Sequence, residues 1–178
     1  MIKRILLMTL LAISSNASFG QANSISVEVK EDSVQQILFA KYLLDKLYVI
    51  DTLKRDEQDR FVISQKDTLN EGIYALAFNV EGGNSILQFC LDNTVESYSF
   101  YIDDVAKPQT TLTVKGSKSA SVLNEYMIFL RDRSIEASQL PDDENKQAAL
   151  AELTKTVNSY QRAFVDNNKG TLPAAFVG

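Results

Sequence analysis

The sequence predicts a mainly β fold with a helical end: an antiparallel β-sandwich or open barrel of about eight strands, followed by a helical pair. Three observations predict it. Short apolar or alternating runs recur between residues 25 and 115, each bounded by turn residues, as in sandwiches and barrels. The runs are rich in Val, Ile, Tyr and Phe, which suit a pleated, half-buried surface. After Gly116 the apolar period lengthens from two residues to three or four, the spacing of a helix face.

Residues 25–30 (ISVEVK) alternate cleanly, with Ile25, Val27 and Val29 on the buried side. Residues 36–44 (QILFAKYLL) are apolar on both faces. Periodicity alone leaves strand or helix open there, and Ile37, Phe39, Tyr42 and the flanking strands favour strand. Asp45 and Lys46 then form a hairpin turn. Residues 47–54 (LYVIDTLK) are a strand by propensity. The polar run 55–59 (RDEQD) suits a hairpin loop, and residues 60–65 return with Phe61 and Ile63 inward. After a polar loop at 66–71, residues 72–80 (GIYALAFNV) are the longest strand candidate. Gly82 and Gly83 allow the next turn. Residues 85–91 place Leu87, Phe89 and Leu91 on one face, and residues 97–102 place Tyr98, Phe100 and Ile102 inside. A polar loop at 103–109 carries Pro108, and residues 110–115 form the last strand, with Leu112 and Val114 inward.

Ser119 or Ser121 can cap the first long helix. Its stripe is Val122, Leu123, Tyr126, Met127 and Leu130, and it reaches about Ser138. Pro141 breaks it. Asp142 and Asp143 suit the next N-terminus. The second helix runs to about Asp166, with Ala149, Leu153, Val157, Tyr160 and Phe164 as its stripe, and residues 167–170 (NNKG) stop it. Thr171, Leu172 and Pro173 start a further helix or linker.

The N-terminus reads as an address. Lys3 and Arg4 precede an apolar run at residues 5–13, too short to span a bilayer and right for a signal peptide. Ser18 and Gly20 supply the small residues of a cleavage site before Gln21. The expected organisation is a signal peptide at 1–20, an antiparallel β-domain at 21–116, a helical pair at 117–170 and the start of a truncated helix or linker at 171–178. The mature protein is expected to be exported, to the periplasm or outer surface, with no membrane span.

The formal charge is −5, and loss of Lys3 and Arg4 takes it to about −7. No basic cluster exists, which argues against a nucleic-acid partner. The chain has no histidine, which excludes Ser-His-Asp and Cys-His catalysis. Cys90 is the only cysteine; with no internal disulfide and no Cys-x-x-Cys, it reads as a packed structural thiol. The acidic runs at 103–104 and 142–144 lack the ligand number and glycine-bearing loop of a calcium site. They read as a solvated loop and a helix start. No catalytic residue, cofactor-binding residue or metal ligand is expected. Two tyrosines are the candidate partner contacts: Tyr101, on the outer face of its strand, and Tyr160, on the stripe of the second helix. Docking onto the first helix or the sheet explains that stripe; a homodimer is the sharper alternative.

Tyr42, Asp45, Lys46, the VIDTL run at 49–53, DRFV at 59–62, EGIY at 71–74, VKGS at 114–117, LNEY at 123–126, Phe129 and Leu130 occur in a telling order. Together they resemble the N-terminal domain of unknown function (DUF4369-like) of exported Bacteroidetes TlpA/ResA-like thiol-disulfide oxidoreductases. The resemblance covers roughly residues 24–170. It implies a protein partner or a covalently linked thioredoxin-like domain. It carries over no catalytic residue, because nothing here matches the family's redox cysteines. The expectation is a non-catalytic accessory module that binds or positions a partner, either part of a longer protein or standing alone. The alternative is a stand-alone periplasmic β-barrel that takes a small apolar or glycan ligand in a mouth lined by strand aromatics.

Overall fold

The computed structural model describes residues 24–43, 46–64, 69–92, 94, 95 and 97–178. The expected signal peptide, Asp45 and part of the 66–71 loop lie outside the described residues. Eight strands and four helices follow in order: β1 Ser24–Val29, β2 Gln36–Leu43, β3 Lys46–Lys54, β4 Phe61–Ser64, β5 Gly72–Val80, β6 Gly83–Leu91, β7 Ser97–Ile102, α1 Pro108–Thr111, β8 Leu112–Lys115, α2 Lys118–Ser138, α3 Lys146–Asn167 and α4 Leu172–Val177.

The strands form two four-stranded sheets, ordered β4-β1-β7-β8 and β3-β2-β5-β6. This is a sandwich followed by helices, not a barrel. Alternation explains the inner faces. Ile25, Val27, Phe61, Tyr98, Phe100 and Ile102 line the first sheet, and Ile37, Phe39, Leu76, Phe78, Leu87 and Phe89 the second; all are buried. A run of aromatic contacts joins them: Phe39 to Tyr74 at 5.4 Å, Tyr74 to Phe89 at 6.1 Å, and Phe89 edge-on to Phe100 at 4.9 Å between ring centres. The expected barrel mouth is absent among the described residues, because stacked aromatics occupy the space between the sheets.

One expectation needs correction. The pairing is not antiparallel throughout: β1 and β7 run parallel, with Ile25 opposite Tyr98 and Val29 opposite Ile102. Between β1 and β7 the chain builds the four strands of the second sheet and β4 on the far side of β1, then re-enters beside β1 in the same direction. A parallel pair requires such a long connection. The β6–β7 crossover is fixed by Tyr98, whose hydroxyl donates to Asp92 Oδ1 at 2.8 Å and accepts from the Asp92 amide at 3.2 Å. A tyrosine at the start of a strand, bonded back to the preceding corner, locks sandwich corners elsewhere.

Three smaller differences are local. Pro108 starts a short helix, α1, so Thr110 and Thr111 belong to that helix and not to the last strand. The cap of α2 is Ser117, whose Oγ accepts from the Ala120 amide at 3.1 Å; the expected caps were Ser119 and Ser121. The helix starts early because Gly116 turns the chain at φ +94, and a Cβ there would lie 2.9 Å from the Ser97 carbonyl. Asp142 and Asp143 precede α3, which begins at Lys146 after Asn145.

Candidate functional site

Each sheet of an open sandwich has two edges, and an unprotected edge is a row of unpaired amides and carbonyls. In the second sheet the two edges are treated differently. At β6 the Gln109 side chain imitates a neighbouring strand. Its Oε1 accepts from the Gln88 amide at 3.0 Å, and its Nε2 donates to the Gln88 carbonyl at 3.1 Å. The same Nε2 donates to Asn124 Oδ1 of α2 at 2.6 Å. Gln109 and Asn124 are both buried. The Ser85 hydroxyl further along donates to the Val105 carbonyl.

The opposite edge, β3, has no such side-chain cover among the described residues. Tyr48, Val49 and Ile50 are 51%, 60% and 51% exposed, and Leu43 of β2, opposite Lys46, is 61% exposed. Only Leu53 of β3 is buried. The ladder to β2 shifts register between Phe39, opposite Asp51, and Ala40, opposite Val49, which makes Ile50 the extra residue of a β-bulge. Exposed lysines, Lys46 and Lys54, stand at the two ends. Asp51, the acid of this strand, accepts from the Thr52 amide at 2.7 Å.

Arg55 anchors this edge where the chain passes to the first sheet. Its side chain is 8% exposed. It donates to the carbonyls of Val34 at 2.7 Å, Glu31 at 2.6 Å, Val29 at 3.2 Å and Asp59 at 3.1 Å, and pairs with Asp59 Oδ1 at 2.7 Å. Its guanidinium also lies 5.2 Å from the Phe61 ring centre. One side chain thus ties the β1–β2 connection to the β3–β4 hairpin.

The two candidate tyrosines lie on different elements and do not share a surface. Tyr101 is on the uncovered outer face of the first sheet, 38% exposed, opposite Glu28 and Thr113. Together with Ser99 and Lys115 they line a shallow hollow of 140 Å³. Tyr160 is half-buried between the long helices, stacked on Phe129 at 3.8 Å and Tyr126 at 6.1 Å. That cluster docks α3 onto α2 and uses Tyr160 within the chain.

Cys90 lies on the outer face of β6 yet is fully buried, on the strand against which α2 packs. Burial first, then the nearby Asp92 and Glu71 carboxylates, push its thiol up to about 12. A thiolate is the reactive form, so this one is inert at neutral pH. Asp92 is pulled both ways: burial raises it, but hydrogen bonds from Ser119, Thr94 and Tyr98 outweigh that and leave it below the usual carboxylate range. Among the described residues no group of three His, Cys, Asp or Glu side chains could hold a metal ion, and no helix is long and apolar enough to cross a membrane. What β3 presents chemically is a strand at the border of its sheet, with exposed apolar side chains between two lysines. Sequence reading placed this strand but not its exposure. No local signal marks it, because an apolar run without alternation such as LYVI also suits a strand buried on both faces.

No family model matches the chain, and no curated protein matches it. Solved structures similar to part of it include two enzymes. An (S)-allantoin synthase shares 10% identity over 56% of this chain and 46% of that chain, with a TM-score of 0.39. A Klebsiella pneumoniae 5-hydroxyisourate hydrolase shares 14% identity over 55% of this chain and 96% of that chain, with a TM-score of 0.31. This chain thus spans under half the length of the first. At these values neither enzyme's chemistry transfers to it.

Proposed function

We propose that this chain is an exported, non-catalytic accessory module that binds a thioredoxin-like thiol-disulfide oxidoreductase and positions it or its substrate. The observation that carries the reading is the unequal treatment of the two edges of the second sheet. Gln109 seals β6, while β3 leaves Tyr48, Val49 and Ile50 exposed. Lys46, Lys54 and the bulge at Ile50 blunt this edge in part, and its exposed apolar centre remains a template for another chain. The partner class comes from the family resemblance. Export comes from the N-terminal charge and apolar pattern. Cys90 has no part in exchange chemistry on this reading, since its thiol is buried.

The test is calorimetric titration of the purified chain with the exported thioredoxin-like proteins of the same genome. One of them is expected to bind at one to one. Thiol-disulfide exchange by the chain alone is expected to be absent. Failure of every such protein to bind, or turnover that disappears in Cys90→Ser, overturns the proposal.

A second reading rests on the outer face of the first sheet. Tyr101 there offers a ring for stacking, with Glu28, Ser99, Thr113 and Lys115 as hydrogen-bonding neighbours around the hollow. This suits a glycan or other small polar ligand on an open sheet face. Binding of a soluble oligosaccharide that is lost in Tyr101→Ala, with an unchanged unfolding midpoint, would favour it.

A further inference from the structure

We infer that β3 is a strand-addition site for an extended segment of another protein, apolar at its centre and acidic at both ends. The inference rests on the accessory-module reading and specifies how the partner is held. The backbone supplies the pairing. β3 is nine residues long and forms one border of its sheet. An added strand would pair along it as β2 does on the other side. The side chains supply the preference. Tyr48, Val49 and Ile50 stand exposed at the centre, where apolar or β-branched cross-strand neighbours are favourable. Lys46 and Lys54 stand at the ends, where opposed carboxylates attract and opposed lysines repel.

The same charges disfavour a second copy as the occupant. Antiparallel pairing of two β3 strands about Ile50 places Lys46 of each copy opposite Lys54 of the other. Sliding the register to separate the lysines uncovers part of the apolar centre. The bulge at Ile50 also breaks the regular ladder that two copies would need. A heterologous strand with acidic ends avoids the charge repulsion and meets the bulge only once, where two copies would meet it twice.

The test uses two synthetic peptides, acetyl-ETVTVTVTE-amide and acetyl-KTVTVTVTK-amide, titrated into the purified chain and followed by amide chemical shifts and hydrogen exchange. The acidic-ended peptide is expected to shift the amides of β3 and slow exchange at alternate residues there. The lysine-ended peptide should bind at least about fivefold more weakly, since each exposed charge pair is worth a factor of roughly 2–5. Added salt should narrow the gap. The double variant K46E/K54E should reverse the preference, and Val49→Lys should weaken both peptides. Both variants change exposed side chains, and an unchanged unfolding midpoint verifies their fold. Equal binding of the two peptides, no binding by either, or a dimer of the chain that V49K dissolves overturns the inference. The two proposals fail separately. A thioredoxin-like partner whose affinity ignores V49K and K46E/K54E removes strand addition and leaves the accessory role. An acidic peptide that binds β3 while no thioredoxin-like protein does removes the partner class and leaves the site.

Discussion

Replacing Arg55 with alanine tests what holds the exposed edge in place. The guanidinium satisfies the carbonyls of Val29, at the end of β1, and of Glu31 and Val34 in the connection that follows. Each such bond contributes about 1 kcal/mol net, and a carbonyl left without a partner costs more when water cannot replace the donor. The three together contribute about 3 kcal/mol. The ion pair to Asp59 adds under about 1 kcal/mol, because the Asp59 carboxylate is 68% exposed and water screens it. Contact with the Phe61 ring adds about 0.5 kcal/mol. Arg55→Ala should therefore destabilise the protein by about 4 kcal/mol, a large share of the ~5–15 kcal/mol that holds most domains folded. Urea unfolding should show a lower midpoint at unchanged slope, and the melting temperature should fall by about 8–16 °C. Arg55→Lys keeps the charge, but one ammonium cannot meet three carbonyls, so about half the loss should remain. Asp59→Gly separates the contributions. It removes the ion pair but relieves a residue at φ +63, so its net effect should lie within about 1 kcal/mol of zero. If Arg55→Ala costs under about 1 kcal/mol, the clamp is a surface contact and the reasoning fails.

Three further predictions concern Gln109, Asp92 and Cys90. Gln109→Leu should cost about 2–3 kcal/mol in urea unfolding, because it strands the Gln88 amide and carbonyl and the Asn124 side chain; hydrogen exchange at Gln88 should accelerate with it. Asp92 titrates lower in the folded protein than in the unfolded chain, so its ionised form favours folding. Its contribution is complete above the ordinary carboxylate range and is lost as the pH falls through the folded value, so Asp92→Asn should flatten the fall in melting temperature below about pH 4. Cys90 should resist iodoacetamide in the native protein at pH 8 and react at once in 6 M urea, as mass spectrometry would show; rapid native labelling would mean that α2 does not cover it.

The strands were legible because burial follows alternation. Ile25, Val27 and Val29, and again Tyr98, Phe100 and Ile102, are buried residue by residue as the period-two pattern requires. The helix stripes were legible for the same reason at a longer period, and Leu123, Tyr126 and Phe164 are buried. What could not be read was non-local. Nothing in residues 24–29 says that their neighbour is 97–102, or that the two run parallel. Arg55 sits in a run of charged residues, and only the folded chain brings the Val29, Glu31 and Val34 carbonyls to it. Gln109 looks like a loop amide until α1 turns it onto the edge of β6. Tyr101 was correctly placed on an outer face. The exposure of Tyr48, Val49 and Ile50 depends on which strand lies at the border of the sheet, and strand order is not a local property.

The helices and the β3 edge are parts of one arrangement. The first turns of α2 lie on β6, and Ala120, Leu123 and Asn124 are buried there with Cys90. Asn124 in turn holds the Gln109 amide that closes the strand border. One helix therefore covers part of the outer face of the second sheet and helps seal its edge. Neither α2 nor α3 makes comparable contact with β3 at the far side of the same sheet. The helix packed on β6 leaves β3 as the border that the strand-addition proposal uses. A strand added at β6 would have to displace a buried amide pair and the helix behind it. A strand added at β3 would meet no such amide pair or helix among the described residues, and on the strand-addition proposal this is the border at which a partner extends the sheet.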